Sequence, residues 1–431
     1  MILAKKGNKL KFAVYGLGVT GISVINYLKK LNLKNLYTWD DRRENRLKFK
    51  TKITLKDFSK RLNEVDYIVM SPGISLNKTK IKRQLLKNRK KIITDLDLLY
   101  LHKPNLKSIV VTGTNGKSTT CKIIEHLLKK KFNVQLGGNI GKPVLNLKNR
   151  KKTIFVIEAS SFQLAYSKFV KPKYALILNI KNDHLDWHGD ITNYINSKFK
   201  IFSLQTKKDY AFLNNKQLIN KFRHKKNSGK IVIVSRKFYK KIENKIDNTY
   251  LRSPSNIENM SFVYGLSKVL KIKDSYFIKS LKNFKGLPHR NETFYEKNNL
   301  KIVNDSKATS FEASKYAIKE NSNIFWIVGG LPKLGDKFKL KNLKKNIIKS
   351  YIIGKNINYF KKQLKGQIIF QSSKTIKNAL ISIFKEIKKN PKKKYTVLFS
   401  PASASYDQYR NFEERGNIFK KFIKLYASKF I

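Results

Sequence analysis

The chain has 431 residues, enough for about two to four domains, and 41% of them are apolar, which excludes a disordered or fibrous protein. A single cysteine, Cys121, rules out an internal disulfide and fits a reducing cytosol. Residues 1–11 lack an apolar signal core, and no uncharged run reaches the roughly 18 residues that a membrane helix needs, so a cytoplasmic protein without stable membrane insertion is expected.

Lys and Arg total 93 against 28 Asp and Glu, a formal charge of +65. Such an excess suits nucleic acid or an anionic surface. Here the basic residues are spread along the whole chain, alongside abundant Asn, Ile, Phe and Tyr, with no zinc-finger spacing or RNA-binding aromatic motif. Compositional drift in an A+T-rich genome accounts for that pattern, and no nucleic-acid partner is expected.

The first segment, to about Asp97, alternates strands and helices. Phe12–Tyr15 reads as a strand, followed by Gly16-Leu-Gly18-Val-Thr-Gly21 and a helix through Leu28. A second strand, Leu36–Trp39, ends in Asp40 and Asp41; a third, Tyr67–Met70, ends in Ser71-Pro72-Gly73. This βαβ alternation means a parallel sheet. A G-x-G-x-x-G opening a helix, with an acidic residue about 20 positions later, predicts a dinucleotide-binding Rossmann unit. The residues indicate a diphosphate-plus-ribose site more firmly than a nicotinamide, since no hydride-transfer residues follow.

The second segment, about 98–287, carries Thr112-Gly113-Thr114-Asn115-Gly116-Lys117-Ser118-Thr119. The β-branched run Ile109–Val111 precedes it, and Cys121, Ile123, Ile124, Leu127 and Leu128 recur behind it at helical spacing. A strand, a glycine turn and a helix N-terminus make an anion site, with Lys117 placed for a terminal phosphate and the Ser118 hydroxyl for its Mg²⁺. The loop is shorter than a Walker A loop, which would need Gly where Val111 stands. A strand at Ile154–Ile157 ends at Glu158-Ala-Ser160-Ser161, and one at Ala175–Leu178 leads into Asp183-His184-Leu-Asp186. Glu158 and His184 are thus candidate Mg²⁺ ligands at strand ends. Residues 207–251, rich in Lys and Asn, read as a peripheral part of this domain.

The third segment, about 288–431, again alternates strands (Ile324–Val328, Ser350–Ile353, Thr396–Phe399) with amphipathic helices. Its polar clusters are Leu287-Pro-His289-Arg290, Asn304-Asp305-Ser306-Lys307-Ala-Thr309 and Ser400-Pro-Ala-Ser403-Ala-Ser405, followed by Asp407, Gln408 and Phe412. Arg290 suits a phosphate, Asp305 a ribose or a base, and Lys307 a transferring phosphoryl group.

In this order, together with Gly137-Gly-Asn139-Ile-Gly141 and Glu158-Ala-Ser-Ser-Phe-Gln-Leu164, these motifs resemble the Mur ligases of peptidoglycan synthesis. The likeness spans nearly the whole chain and is strongest to the branch that adds D-glutamate. It replaces the dinucleotide by a uridine diphosphate, the same physical site. It implies three α/β domains: a Rossmann-like UDP-substrate domain (1–97), a central phosphate-loop ATPase domain with a mainly parallel sheet (98–287) and a Rossmann-like amino-acid domain (288–431). It implies a monomer in cytoplasmic cell-wall precursor synthesis, and hence a role in cell shape and division. The implied reaction joins D-glutamate to UDP-N-acetylmuramoyl-L-alanine at the expense of ATP.

Residue by residue, the resemblance assigns Gly113, Thr114, Asn115, Gly116, Lys117, Ser118, Thr119, Asn259, Arg290 and Asp305 to ATP, and Lys117, His184, Lys198 and Lys307 to catalysis. Ser118, Glu158, His184 and a carbamylated Lys198 would hold two Mg²⁺ ions. Val19, Thr20, Asp41, Arg42, Gly73 and Asn139 would line the UDP-sugar, and Ser160, Thr309, Lys333, Ser405 and Phe412 would face D-glutamate. The chain departs from the pattern at Ser255, Ser310, Pro332 and Tyr406, which bear on adenine or amino-acid contacts. Two readings stay open beside this one: a related ligase with another acceptor, and a nucleotide-gated nucleic-acid-binding protein.

Overall fold

A computed structural model describes residues 9–49, 53–254, 256–333 and 335–430; Ser255 lies outside the described residues. The chain divides into two compact units, Met1–Lys285 and Gly286–Ile431.

The first unit contains two sheets. The first has the order β2-β1-β3-β4, built from β1 (Phe12–Tyr15), β2 (Leu36–Trp39), β3 (Tyr67–Met70) and β4 (Ile92–Ile93), all parallel. All four residues of β1 are buried, as a central parallel strand requires. The Val19–Lys30 helix lies so close to the preceding turn that a Cβ on Gly21 would sit 1.8 Å from the Gly16 carbonyl oxygen.

The second sheet is also parallel, with the order β10-β9-β8-β5-β7-β6. Its strands are β5 (Ser108–Thr112), β6 (Val134–Gly138), β7 (Ile154–Glu158), β8 (Tyr174–Ile177), β9 (Tyr210–Leu213) and β10 (Lys230–Ile233). β5 is central, with Val111 opposite Glu158 on β7 and Thr112 opposite Ile177 on β8. The phosphate loop, Glu158 and the segment after β8 therefore emerge side by side at one sheet edge, where open α/β sheets bind ligands.

The expected strands at 154–157 and 175–178 recur within a residue, and two short strands, β9 and β10, occupy the segment read as peripheral. β10, at the sheet edge, is exposed or half-exposed throughout, whereas β9 is mostly buried but only four residues long, set in a Lys- and Asn-rich stretch.

One apolar cluster runs through both sheets, from Phe12, Val14, Leu28 and Val69 through Leu96–Leu101 and Val144–Leu147 to Phe155, Ile177 and Phe222. The Val19–Lys30 helix packs on the Val144–Asn146 turn, where the Ser23 hydroxyl donates to Asn146 Oδ1 at 2.8 Å. The Asp95–His102 helix between the sheets starts from a capping box of Thr94 and Asp97.

The second unit holds one mixed sheet, order β11-β12-β16-β13-β14-β15: β11 (Glu292–Lys297), β12 (Leu300–Asn304), β13 (Ile324–Gly329), β14 (Ile347–Ile353), β15 (Phe370–Lys374) and β16 (Tyr395–Phe399). Only β11 is antiparallel, hairpinned to β12. Separate cores cover the two faces, one around Ile327, Tyr351 and Phe399, the other around Trp326, Phe338 and Leu398. Asp305, Gly330 and Ser400 follow directly on β12, β13 and β16, at one end of the sheet.

Candidate active site

The loop after β5 is shaped by two glycines. Gly116 is left-handed at φ 82° and caps the Lys117–Leu128 helix, whose first N–H groups then point outward. A Cβ there would lie 2.1 Å from Asn259 Oδ1, so the buried Asn259, on the Ile257–Val269 helix, packs directly on the loop. Asn259 is oriented by its own bond to Asn256 Oδ1, 3.0 Å.

A polar relay that the sequence did not suggest holds the loop from outside. The Asn115 N–H donates to Asn179 Oδ1 at 2.9 Å; Asn179 Nδ2 donates to Glu258 Oε2 at 2.8 Å; Asn214 Nδ2 donates to Glu258 Oε1 at 2.7 Å. Thr114 Oγ1 pairs with the Tyr194 hydroxyl at 3.0 Å and with the Lys181 carbonyl at 3.2 Å. Asn179 opens the Asn-Ile-Lys-Asn-Asp183 run that follows β8, whose small polar residues after a strand were the available signal. Glu258 and Asn214 had none.

Inside the loop, the Gly113 carbonyl accepts from two ammonium groups, Lys117 Nζ at 2.9 Å and Lys198 Nζ at 2.8 Å. Lys198 is 1% exposed and lies 4.4 Å from the Tyr194 ring centroid. Burial, reinforced by the charge of Lys117, drives its pKa well below the usual lysine range.

Glu158 is equally buried. Its Oε1 accepts from Asn139 Nδ2 at 2.8 Å, while Oε2 has no hydrogen-bond partner. A buried carboxylate oxygen without a partner is costly unless a cation or donor arrives. Asn139, expected at the UDP-sugar, thus lies against Glu158, and its N–H also bonds the Glu158 carbonyl at 2.8 Å.

His184 is left-handed at φ 54° and lies 3.4 Å from Asp183, its ring edge-on to Phe162. Among the described residues no three His, Cys, Asp or Glu side chains gather as a metal site. Glu158 and His184 are the only two such residues in the expected donor set, which a hydroxyl and a modified lysine would complete. The orphaned Glu158 oxygen and the hydroxyl of Ser118, in the first turn of the Lys117–Leu128 helix, fit that set.

On the first sheet, Val19 is 73% exposed on the opening turn of its helix, and Gly73 is exposed in the loop after β3. Asp41 accepts from the Tyr15 hydroxyl and the Trp39 indole. Its neighbour Asp40, the other acidic residue at the end of β2, closes the glycine turn by accepting from the Leu17 N–H at 2.6 Å.

The second unit gathers its own polar cluster. Asp305 is buried and accepts from Ser400 Oγ at 2.6 Å and from the Asn291 N–H at 3.0 Å. Burial raises its pKa to about 7, against the pull of Arg290. Lys307 Nζ lies 3.9 Å from the Phe412 ring centroid, a cation–π contact that joins two expected residues. Ser405 is buried in the turn after Ala404, which bridges Leu331 antiparallel; Thr309, Lys333 and Tyr406 are exposed. Buried Arg415, unforeseen, binds the Ser306 and Ser403 carbonyls at 2.7 and 2.9 Å and ties the two serine-containing turns together.

A parallel sheet with a glycine loop, a loop lysine and a buried, partly unpaired carboxylate at one edge defines a nucleoside-triphosphate-using α/β protein. The chain belongs to the Mur ligase family. Residues 10–93 match the profile of the Mur ligase MurD-like N-terminal domain, and residues 111–275 match that of the Mur ligase middle domain. The UDP-N-acetylmuramoylalanine–D-glutamate ligase of Rickettsia felis is 34% identical over 445 residues, covering 98% of each chain. The enzyme of the same name from Aquifex aeolicus is 32% identical over 433 residues, covering 97% of this chain and 100% of its own. Among solved structures, MurF ligase from Thermotoga maritima in complex with ADP shares the fold at TM-score 0.58 and 17% identity, covering 98% of this chain and 97% of its own. UDP-N-acetylmuramate-alanine ligase MurC from the same organism does so at TM-score 0.56 and 17% identity, covering 97% and 100%.

Proposed function

We propose that this chain joins D-glutamate to UDP-N-acetylmuramoyl-L-alanine in peptidoglycan precursor synthesis, converting ATP to ADP and phosphate. The observation that carries the reading is the match, over nearly its whole length, to relatives named for that reaction. The phosphate loop and the buried Glu158 support its ATP-dependent half.

A carboxylate is a poor electrophile, so the alanyl carboxylate first takes the γ-phosphoryl group of ATP, giving an acyl phosphate and ADP. The amine of D-glutamate attacks the acyl carbon. The resulting tetrahedral intermediate loses a proton from nitrogen and expels phosphate, leaving the amide. Little covalent chemistry falls to the protein, whose work is positioning and charge stabilisation.

Lys117 would turn from the Gly113 and Thr114 carbonyls to the γ-phosphate, and the outward N–H groups at Gly116 and beyond would cradle the other phosphates. Asn259, Arg290 and Asp305 would complete the ATP contacts. Mg²⁺ held by Ser118, Glu158, His184 and a carbamate on Lys198 would supply neutralising charge to the phosphates. The depressed basicity of Lys198 favours the neutral amine, which adds to CO₂ to form a carbamate and releases one proton. Lys307 would stabilise the transferring phosphoryl group. Ser160, Thr309, Lys333, Ser405 and Phe412 would receive D-glutamate, and Val19, Thr20, Asp41, Arg42, Gly73 and Asn139 the UDP-sugar. The three sheets would correspond to three domains, at 1–97, 98–287 and 288–431, in a cytoplasmic monomer.

The test is ADP release by the purified protein with Mg²⁺-ATP, UDP-N-acetylmuramoyl-L-alanine and each candidate amino acid in turn. Turnover with D-glutamate alone is expected. Turnover only with another amino acid would keep the ligase and move the acceptor, a change for which Pro332 and Tyr406 are the first residues to exchange. No turnover with any combination would overturn the reading.

A further inference from the structure

Tyr166 ends the short Ser161–Tyr166 helix that follows Glu158 and Ser160 on the second sheet. Its hydroxyl reaches the first sheet, accepting from the Leu76 N–H at 2.9 Å and donating to the Ile74 carbonyl at 3.3 Å. Burial pushes its pKa up to about 12, so it stays protonated and able to donate.

The clamped segment leads to the glycine turn. Ile74 N–H bonds the Ser71 carbonyl at 3.0 Å, and Ser71 Oγ donates to the Gly16 carbonyl at 3.0 Å. A Cβ on Gly16 would meet Ile74 Cδ1 at 2.9 Å, and exposed Gly73 lies between the two anchors.

The helix carrying Tyr166 is itself fixed. Gln163 Nε2 donates to Asp95 at 3.3 Å, the Ser167 and Thr94 hydroxyls pair at 2.9 Å, and Asp97 accepts from the Lys168 and Phe169 N–H groups at 2.8 and 2.7 Å. The hydroxyl is thus presented from a rigid base to a loop that has few other long-range backbone bonds beyond Ser71.

We propose that Tyr166 is a positioning residue for nucleotide-substrate binding: it holds the 71–76 loop against the Gly16 turn, although it sits on the sheet that carries the ATP loop. The inference rests on the reading above that this turn and Gly73 receive the UDP moiety. No motif marks Tyr166; the sequence shows only an aromatic residue shortly after Phe-Gln-Leu.

The test compares wild type with Tyr166→Phe, which removes the hydroxyl and keeps the ring. Affinity for UDP-N-acetylmuramoyl-L-alanine is measured without ATP, KM for ATP in turnover, and hydrogen exchange at the Leu76 amide. The expected result is affinity weaker by roughly five- to twentyfold, as loss of two ordered hydrogen bonds implies. Faster exchange at Leu76 and an unchanged KM for ATP are expected with it. Unchanged affinity despite faster exchange would overturn the inference, as would parallel losses in both substrates together with the melting temperature. Wild-type protein that fails to bind the nucleotide would instead overturn the underlying reading, and the inference with it.

Discussion

Gly116→Ala isolates the geometry of the phosphate loop in one methyl group. Two costs combine. At φ 82° an L side chain is strained by roughly 1–3 kcal/mol. The new Cβ, 2.1 Å from Asn259 Oδ1, also forces that buried amide back by more than 1 Å and breaks its bond to Asn256, worth about 1 kcal/mol. Together they come to about 2–4 kcal/mol, a fall of roughly 3–7 °C in the melting temperature of a unit this size. Because Asn259 and the loop N–H groups are displaced together, KM for ATP should rise at least about tenfold. Gly366→Ala is the control: it is also left-handed, at φ 74°, but nothing lies within 4 Å of its Cβ position. It should cost roughly 1 kcal/mol and leave ATP kinetics alone. Adding Asn259→Ala to Gly116→Ala should give a loss smaller than the sum of the two, since the second change removes the obstacle. Differential scanning fluorimetry and ADP-release kinetics read both quantities. Wild-type stability and KM in Gly116→Ala would refute the close packing of Asn259 on the loop.

Lys117→Ala should abolish turnover, because the γ-phosphate loses its cation; near-normal kcat in the ADP assay would sink the loop assignment. Lys198→Ala should be nearly inactive and partly recover on addition of short-chain carboxylates that replace a carbamate; activity without rescue would make carbamylation irrelevant. Asp305 has a folded pKa of about 7 against 3.8 for the free group, so the fold favours its protonated form. Its contribution is therefore fully present below about pH 4 and is lost as pH rises towards 7. Asp305→Asn should flatten the decline in melting temperature between those limits, and an unchanged decline would refute the assignment.

The central strands β1 and β3 were legible because they are short, apolar and followed by glycine or small polar turns; β2, although at the edge of its sheet, was legible from its apolar and aromatic run ending in Asp40 and Asp41. The edge strands β10 and β11 of the other two sheets were not. β10 exposes half its residues and β11 is antiparallel and charged, so neither carries the continuous apolar run of a buried strand. At the candidate site, the residues announced by local spacing, among them Gly113, Gly116, Lys117 and Glu158, lie at or just beyond the ends of β5 and β7. Those brought in by tertiary contact were not so announced. Glu258 lies 79 residues from Asn179, and Arg415 lies 109 from Ser306, so no local pattern links either pair. Asn139 stood out by its motif; its contact with Glu158, nineteen residues away, did not.

The apolar cluster shared by the first two sheets bears on how the chain is made. The face of the first sheet under the Val19–Lys30 helix is closed by Val144, Leu145 and Leu147, some fifty residues beyond the last strand of that sheet. At about 5–20 residues per second, a ribosome needs roughly 3–10 s to deliver them. During that interval a nascent chain with a complete four-stranded sheet still shows an uncovered aliphatic face. Its N-terminal third is therefore the stretch where a chaperone that recognises exposed hydrophobic surface has time to act, and where slowed translation would most increase aggregation.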